Sequence, residues 1–262
     1  MPTAMGGTSI LLLLCFILAQ ADKQVVGLLA LQIQDSFALS NTQLGFLQGG
    51  AFAIAFAIGG LPISRLIDRG HRIRLAAIWV GLWSTATFLS GFAVSFAMLL
   101  IFRAATAVAE AGLPPAAFSI FSQQEDSRRV ARLTGIFMLA PFIGAGLMLI
   151  LGGWLLGAVS HGFSLGTNWE PWRLVMIAVG VPGLLLAPAL ALFGREPART
   201  RPLPSGEGAE TYRAVFAHIF SERPFLRYYY VGLSAFYLAT ASLLAWYPAL
   251  LVREMGLGIG TA

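Results

Sequence analysis

Charge is what this chain has least of. Asp, Glu, Lys and Arg together make up 11% of its 262 residues, while 57% are apolar and the mean hydropathy is +0.77. A water-soluble domain of that size needs a polar shell that these residues cannot supply. Cysteine is nearly absent. Cys15 stands alone, which excludes an internal disulfide framework, a zinc ribbon and a dithiol redox site. The three histidines, His71, His161 and His218, fall in predicted loops or a surface helix. With no H-E-x-x-H, no paired intramembrane aspartates and no convergent acid, base and nucleophile, an enzyme is not expected, nor is a cofactor or a metal. Lys and Arg are also missing ahead of Ile10, so the first apolar stretch reads as a retained helix, not a cleavable leader.

Uncharged runs stand in place of charge. They cover residues 1–21, 36–64, 75–102, 133–169, 174–194 and 228–252, each 21 residues or longer. A bilayer core takes about 20 apolar residues per helix. Together with residues 98–121, interrupted by Arg103 and Glu110, these runs predict seven spans: 9–33, 42–67, 73–93, 95–122, 132–158, 172–193 and 225–252. The expected fold is an all-α polytopic membrane bundle.

The basic residues set its orientation. Arg65, Arg69, Arg72 and Arg74 lie between spans two and three, and Arg128, Arg129 and Arg132 between four and five. Arg195, Arg199, Arg201, Arg213, Arg223 and Arg227 follow span six. The intervening connections, 35–41, 93–95 and 160–171, have none. Positive-inside bias puts the N-terminus and the arginine loops in the cytoplasm, with Arg173 and Arg253 at the outer surface of a cell (inner) membrane. The net charge of +5 is thus a topology signal rather than a nucleic-acid footprint, and the expected partner is the lipid bilayer.

Glycine pairs at Gly49-Gly50, Gly59-Gly60, Gly144-Ala145-Gly146 and Gly152-Gly153, with Gly157 four on, mark expected close helix contacts. Pro114-Pro115, Pro141, Pro182, Pro188 and Pro248 are expected to bend spans. Residues 194–208 turn to Arg, Pro, Ser, Gly and Glu and read as a linker. Tyr212, Val215, Phe216, Ile219 and Phe220 then repeat at helical spacing, predicting a short amphipathic helix on the membrane face. The organisation expected is 1–194 as a six-helix domain, 195–223 as a cytoplasmic linker and 224–262 as the seventh helix of an incomplete second domain.

Four charges fall inside predicted spans: Asp22 and Lys23 in the first, Arg103 and Glu110 in the fourth. Charge is unfavourable in hydrocarbon and marks functional candidates. Arg103 and Glu110, seven apart, lie about 700° round the helix and roughly 10.5 Å along it, on one face without touching. Their available partners are Asp22 and Lys23, which predicts a polar cavity between the first and fourth spans. Either the four form a structural ion-pair network, or they face water and Glu110 or Asp22 exchanges a proton.

The loop Ser64-Arg65-Leu66-Ile67-Asp68-Arg69-Gly70-His71-Arg72-Ile73-Arg74 resembles the G-x-L-a-D-R-x-G-R-R signature of the major facilitator superfamily. Asp68, Arg69 and Arg72 match, Ser64 replaces the usual glycine, and Ile73 displaces the last basic residue to Arg74. The stretch from Arg103 to Ala111 is similar to the Spinster-like R-x-x-x-G-x-G-E-A, with Ala107 and Ala109 for glycines. Asp22-Lys23-Gln24 resembles that branch's D-R-Q, with lysine for arginine. Leu39 to Gly45 resembles its entry into helix two, and Trp172-Arg173 to Arg195-Glu196-Pro197 its sixth helix and exit.

The resemblance implies twelve helices in two six-helix halves, of which this chain holds one half and the first helix of the other: a transporter cut short after the seventh helix, lacking its C-terminal half as partner. It also implies proton-coupled alternating access for a small amphipathic or lipid-like solute, efflux among the directions. Asp22, Lys23, Arg103 and Glu110 would be the coupling and substrate residues, and Ser64, Asp68, Arg69, Arg72 and Arg74 the conformational loop. The alternative is a non-transporting membrane module that acts through association. The topology is testable with Cys15 replaced. Cysteine at Ser127 or Ser205 should resist an impermeant thiol reagent in intact cells while one at Ser164 reacts, and labelling of the first two would overturn the orientation.

Overall fold

The computed structural model describes residues 3–123, 126–160, 169–198, 217–222 and 224–255. Twelve α-helices are described, with three single turns of wider π-helix. The first span is α1 (Thr3–Leu28), continued after a break by α2 (Ala30–Ser36). The second is α3 (Asn41–Gly45), a π-turn (Phe46–Gly50) and α4 (Ala51–Arg69), and the third is α5 (Arg72–Ser90). The fourth is α6 (Phe96–Glu110) with α7 (Leu113–Phe121). The fifth is α8 (Ser127–Phe137), α9 (Ala140–Leu147), a π-turn (Met148–Gly152) and α10 (Gly153–Ser160), and the sixth is α11 (Pro171–Phe193). After a π-turn at His218–Glu222 comes α12 (Pro224–Met255).

Six helices among the described residues are long and apolar enough to cross a membrane. The seventh predicted span lies within α12, continuous over 32 residues and so about 48 Å long. The predicted amphipathic helix lies largely outside the described residues.

Short polar residues start these helices by satisfying backbone N–H groups that have no partner in the first turn. Ser40 accepts from the Gln43 N–H while Gln43 accepts from the Ser40 N–H, a capping box that opens the second span. Ser95 caps α6, Asp126 caps α8 and the His71 ring nitrogen caps α5. Proline decides where spans break. Pro114 and Pro115 have no N–H for the carbonyls of Glu110 and Ala111, and the fourth span breaks between α6 and α7 at that place. Pro141 follows the break between α8 and α9 in the same way. Pro62 lies inside α4, and Pro182 and Pro188 lie inside α11, without ending either helix.

Packing centres on α1, which touches α9, α11 and α12, and on α5, which lies along α11 and α6. Two glycines show why backbones come so close. A Cβ on Gly144 would collide with the Ile17 carbonyl of α1, and one on Gly180 would stand 2.6 Å from the Phe88 nitrogen of α5. Not every expected contact glycine behaves so. Gly49, Gly146, Gly153 and Gly157 face open space, with nothing within 4 Å of an added Cβ. Glycine spacing alone does not say which side of a helix meets a neighbour.

The apolar interior is divided in two. One cluster gathers Leu12, Cys15 and Ala19 of α1 with Trp83, Leu113, Phe121 and Phe137. The other gathers Val25, Leu29 and Ile33 with Leu99, Trp172, Val175 and Met176. Asp22 and Lys23 fall between the two along α1, and Arg103 and Thr106 fall between them along the fourth span.

Each end of the bundle is closed by a polar clasp. At one end, the Glu170 carboxylate accepts from Ser36 Oγ at 2.6 Å, Arg173 Nε at 2.9 Å and Trp172 Nε1 at 3.1 Å. Arg173 also donates to the Gly91 and Ala93 carbonyls and stacks over Trp172. These bonds tie α2, the α5–α6 loop and α11 together. At the other end, Arg72 is fully buried. It donates to Glu196 Oε1 at 2.5 Å, the Pro197 carbonyl at 2.6 Å and the Ser119 carbonyl at 3.0 Å, while Glu196 Oε2 accepts from the Ile73 N–H at 2.8 Å.

Partial burial pushes the Glu196 carboxyl upward, but the Ile73 N–H and then the Arg72 guanidinium outweigh it and hold the pKa below the usual carboxylate range. Glu170 is lowered likewise, with hydrogen bonds from Ser36 and Arg173 overriding desolvation. A depressed carboxyl pKa adds stability that is present above the unfolded value and lost as pH falls through the folded one. The thermal midpoint in detergent should therefore drop on acidification below about pH 4. Glu196→Gln should be less stable at pH 7 by about 3 kcal/mol, because buried Arg72 loses its counter-charge, and should lose part of that acid dependence. An unchanged midpoint in the variant would show that the carbonyl bonds hold Arg72 unaided.

Candidate functional site

The structure brings the four intramembrane charges together. Asp22, Arg103 and Glu110 are each 2% exposed, and Lys23 is partly exposed. Arg103 Nη1 donates to Asp22 Oδ2 at 2.9 Å, and Lys23 Nζ stands 3.5 Å from Glu110 Oε2. Asp22 and Lys23 are consecutive on α1, so each reaches a different charge on α6, and the spacing of Arg103 and Glu110 is what lets both pairs form. Thr87 of α5 donates to Asp22 Oδ1 at 2.6 Å and lies 3.4 Å from the Thr106 hydroxyl. Phe52 and Phe56 of α4 complete the enclosure. Lys23 Nζ is 5.1 Å from the Phe56 ring centre, and the Arg103 guanidinium carbon is 5.5 Å from that of Phe52.

Two carboxylates and two cations sum to no net charge. Desolvated charges need that balance, because an unpaired one in such surroundings is strongly destabilising. The balance is uneven in quality, however. Asp22 has both oxygens hydrogen-bonded, whereas neither Glu110 oxygen forms a hydrogen bond with any described residue. Glu110 also lies at the break between α6 and α7 that Pro114 and Pro115 impose. Of the two carboxylates, it is the one whose charge is held by an ion pair alone.

One expectation needs correction. The four were expected to line a cavity between the first and fourth spans, but Asp22, Arg103 and Glu110 are buried, and the four meet as two pairs. The cavity, about 800 Å³, lies between α1, the π-turn Phe46–Gly50 with the start of α4, and α12. Lys23 is the one member of the four that lines it. The physical reason is burial: Asp22, Arg103 and Glu110 have almost no exposed surface, and Asp22 is enclosed by Arg103 and by Thr87 of α5.

The loop residues separate. Asp68, Arg69 and Arg74 are exposed, and Ser64 is half-buried and bonded to the Leu61 carbonyl, while Arg72 turns inward to Glu196. Sequence reasoning had quoted Glu196 as a helix exit and missed it as a ligand of Arg72. It also missed Thr87, Phe52 and Phe56. A threonine in an apolar span was the signal for the first, and nothing distinguished the two phenylalanines from other apolar residues. Gly162-Phe163-Ser164-Leu165-Gly166 spells the G-x-S-x-G string of serine hydrolases, was passed over, and lies outside the described residues. Among the described residues no group of three or more His, Cys, Asp or Glu could hold a metal.

Residues 12–262 match the Major Facilitator Superfamily. An MFS-type efflux pump of Mycolicibacterium smegmatis is 29% identical over 240 residues, 91% of this chain and 52% of the pump. Protein spinster of Drosophila melanogaster is 28% identical over 62% of this chain and 26% of its own length. The chain thus spans about half the length, or less, of these curated relatives. A crystal structure of a bacterial homolog to the human lysosomal transporter Spinster, inward-facing and unoccupied, superposes with a TM-score of 0.84 at 31% identity, over 99% of this chain and 58% of that one. A D-xylose-proton symporter shares the fold, with a TM-score of 0.69 at 16% identity. The chain therefore belongs to the Major Facilitator Superfamily and is similar to its Spinster-like members.

Proposed function

We propose that this chain works in a proton-coupled secondary transporter that moves a small amphipathic or lipid-like solute by alternating access, with Asp22, Lys23, Arg103 and Glu110 as its coupling residues. The observation that carries this is Glu110, a carboxylate inside the bilayer-spanning region with one ion pair and no hydrogen bond among the described residues. Neutralising it by a proton releases Lys23 and upsets a balanced set of four charges. The reading places the protein in a cell membrane with the N-terminus cytoplasmic.

Similarity to an efflux pump and to a Spinster-type transporter supports the transport reading. The break after Glu110 supports movement, because a helix with missing backbone hydrogen bonds bends there at least cost. Ser64, Asp68, Arg69, Arg72 and Arg74 divide the loop's work: Arg72 anchors it to the end of α11 through Glu196, and Asp68 and Arg69 stand exposed at the end of α4.

In proteoliposomes with an imposed pH gradient, Glu110→Gln should abolish gradient-driven solute movement while leaving solute binding measurable. Asp22→Asn should impair it as well. If both variants keep the wild-type dependence on the gradient, the four charges are an ion-pair network holding α1 to α6 and nothing more. Asp68→Asn should slow turnover with nearly unchanged solute affinity, and a large loss of affinity at normal turnover would remove Asp68 from the conformational loop.

A further inference from the structure

A proton on Glu110 would unbalance the four charges. Asp22 would then stand against both Lys23 and Arg103, and the Lys23 ammonium, 3.5 Å from Glu110 Oε2, would lose its counter-charge. Asp22 is already engaged by Arg103 and by the Thr87 hydroxyl. The cavity that Lys23 borders has no acidic residue in its lining. An unpaired ammonium in apolar surroundings is strongly destabilising, so the groups on its other side decide how well a neutral Glu110 is tolerated.

That side is aromatic. Phe52 and Phe56, one turn apart on α4, lie with ring planes 23° from parallel and centres 6.1 Å apart. Lys23 Nζ stands over both rings, 5.7 Å from the centre of Phe52 and 5.1 Å from that of Phe56. The three distances are similar, which puts the ammonium above the seam between the rings. Among the described residues the partners of this ammonium are Glu110, Phe52 and Phe56. A ring face attracts a cation within about 6 Å, and the attraction is roughly twofold or more stronger for a desolvated cation than for an exposed one. While Glu110 is ionised, its charge offsets most of the ammonium's field and the rings add little. With Glu110 neutral, the rings are the partners that remain.

We propose that Phe52 and Phe56 form a cation receptor that holds Lys23 when Glu110 is neutral, so that a proton taken up on α6 is felt on α4 through α1. The two phenylalanines are positioning residues that act through Lys23. The inference deepens the coupling reading and rests on it only for the claim that Glu110 carries a proton during transport. Phe52 also faces the Arg103 guanidinium at 5.5 Å, whereas Lys23 is the described cation over Phe56, so Phe56 is the position to test.

The test replaces Phe56 by mono-, di- and trifluorophenylalanine in the chain held in nanodiscs at neutral pH, and reads the melting temperature. Fluorine draws electrons from the ring face in steps and nearly keeps its shape, so it weakens the attraction for a cation without removing the packing. In the wild type each fluorine should lower the melting temperature slightly. In Glu110→Gln, which leaves Lys23 without a counter-charge, the fall per fluorine should be about twofold or more steeper. With Lys23→Met added to Glu110→Gln, no cation lies over Phe56 and the series should be flat.

Equal slopes in the wild type and Glu110→Gln, or a slope that survives Lys23→Met, would reduce the rings to packing and overturn the receptor. A Glu110→Gln protein that fails to fold with its rings intact would overturn it too, because the rings then cannot hold an unpaired ammonium. A steeper slope in Glu110→Gln, found together with solute movement that still follows the pH gradient in that variant, would uphold the receptor and overturn the coupling reading. Equal slopes with gradient-driven movement abolished in Glu110→Gln would do the opposite.

Discussion

Four formal charges in apolar surroundings set the terms for the rest of this structure. Hydrocarbon offers nothing to solvate Asp22, Lys23, Arg103 and Glu110, so each must find its counter-charge within the bundle. That requirement fixes the rotation of α1 about its axis and its height against α6, because only one register pairs Asp22 with Arg103 and Lys23 with Glu110 at once. The two apolar clusters on either side follow from it. Residues of α1 before and after the charged pair pack against different partners, with the polar layer between them.

The layer is tight at one point and loose at another, and the difference is local. Asp22 is held by a guanidinium and by the Thr87 hydroxyl, while Glu110 lies where Pro114 and Pro115 deprive the helix of backbone donors. A rigid anchor beside a deformable carboxylate is the arrangement expected where a small chemical change has to be passed to a helix. The two end clasps have the opposite character. Arg72 with Glu196, and Arg173 with Glu170, tie loops to the ends of α11 through several short bonds each.

The cavity belongs to a third element of the design. It opens where the second span departs from α-helical winding and where glycines leave room beside α12. Lys23, Gln24 and Gln48 line it from α1 and the π-turn, and α12 supplies aromatic and aliphatic surface together with Ser234 and Ser242. The cavity is therefore amphipathic by construction, and its polar side borders the charge layer through Lys23.

Much of this could be read in the residues. Hydropathy runs and arginine placement determined the six spans and the helix of the seventh, because bilayer thickness and the cost of bare backbone in lipid leave few other solutions. Seven-residue spacing put Arg103 and Glu110 on one face, and prolines 114, 115 and 141 marked breaks, since periodicity and missing N–H groups are local properties. What remained hidden depends on neighbours distant in sequence. Which carboxylate pairs with which cation, the inward turn of Arg72 to Glu196, the part played by Thr87, and the choice of Gly144 over Gly146 as the close contact all require knowing which helices are adjacent and how each is rotated. The position of the cavity was misjudged for the same reason. Charge suggested a polar cavity between the first and fourth spans, but only the packed structure could show that Asp22, Arg103 and Glu110 are buried there and that a cavity lies beside the π-turn and α12.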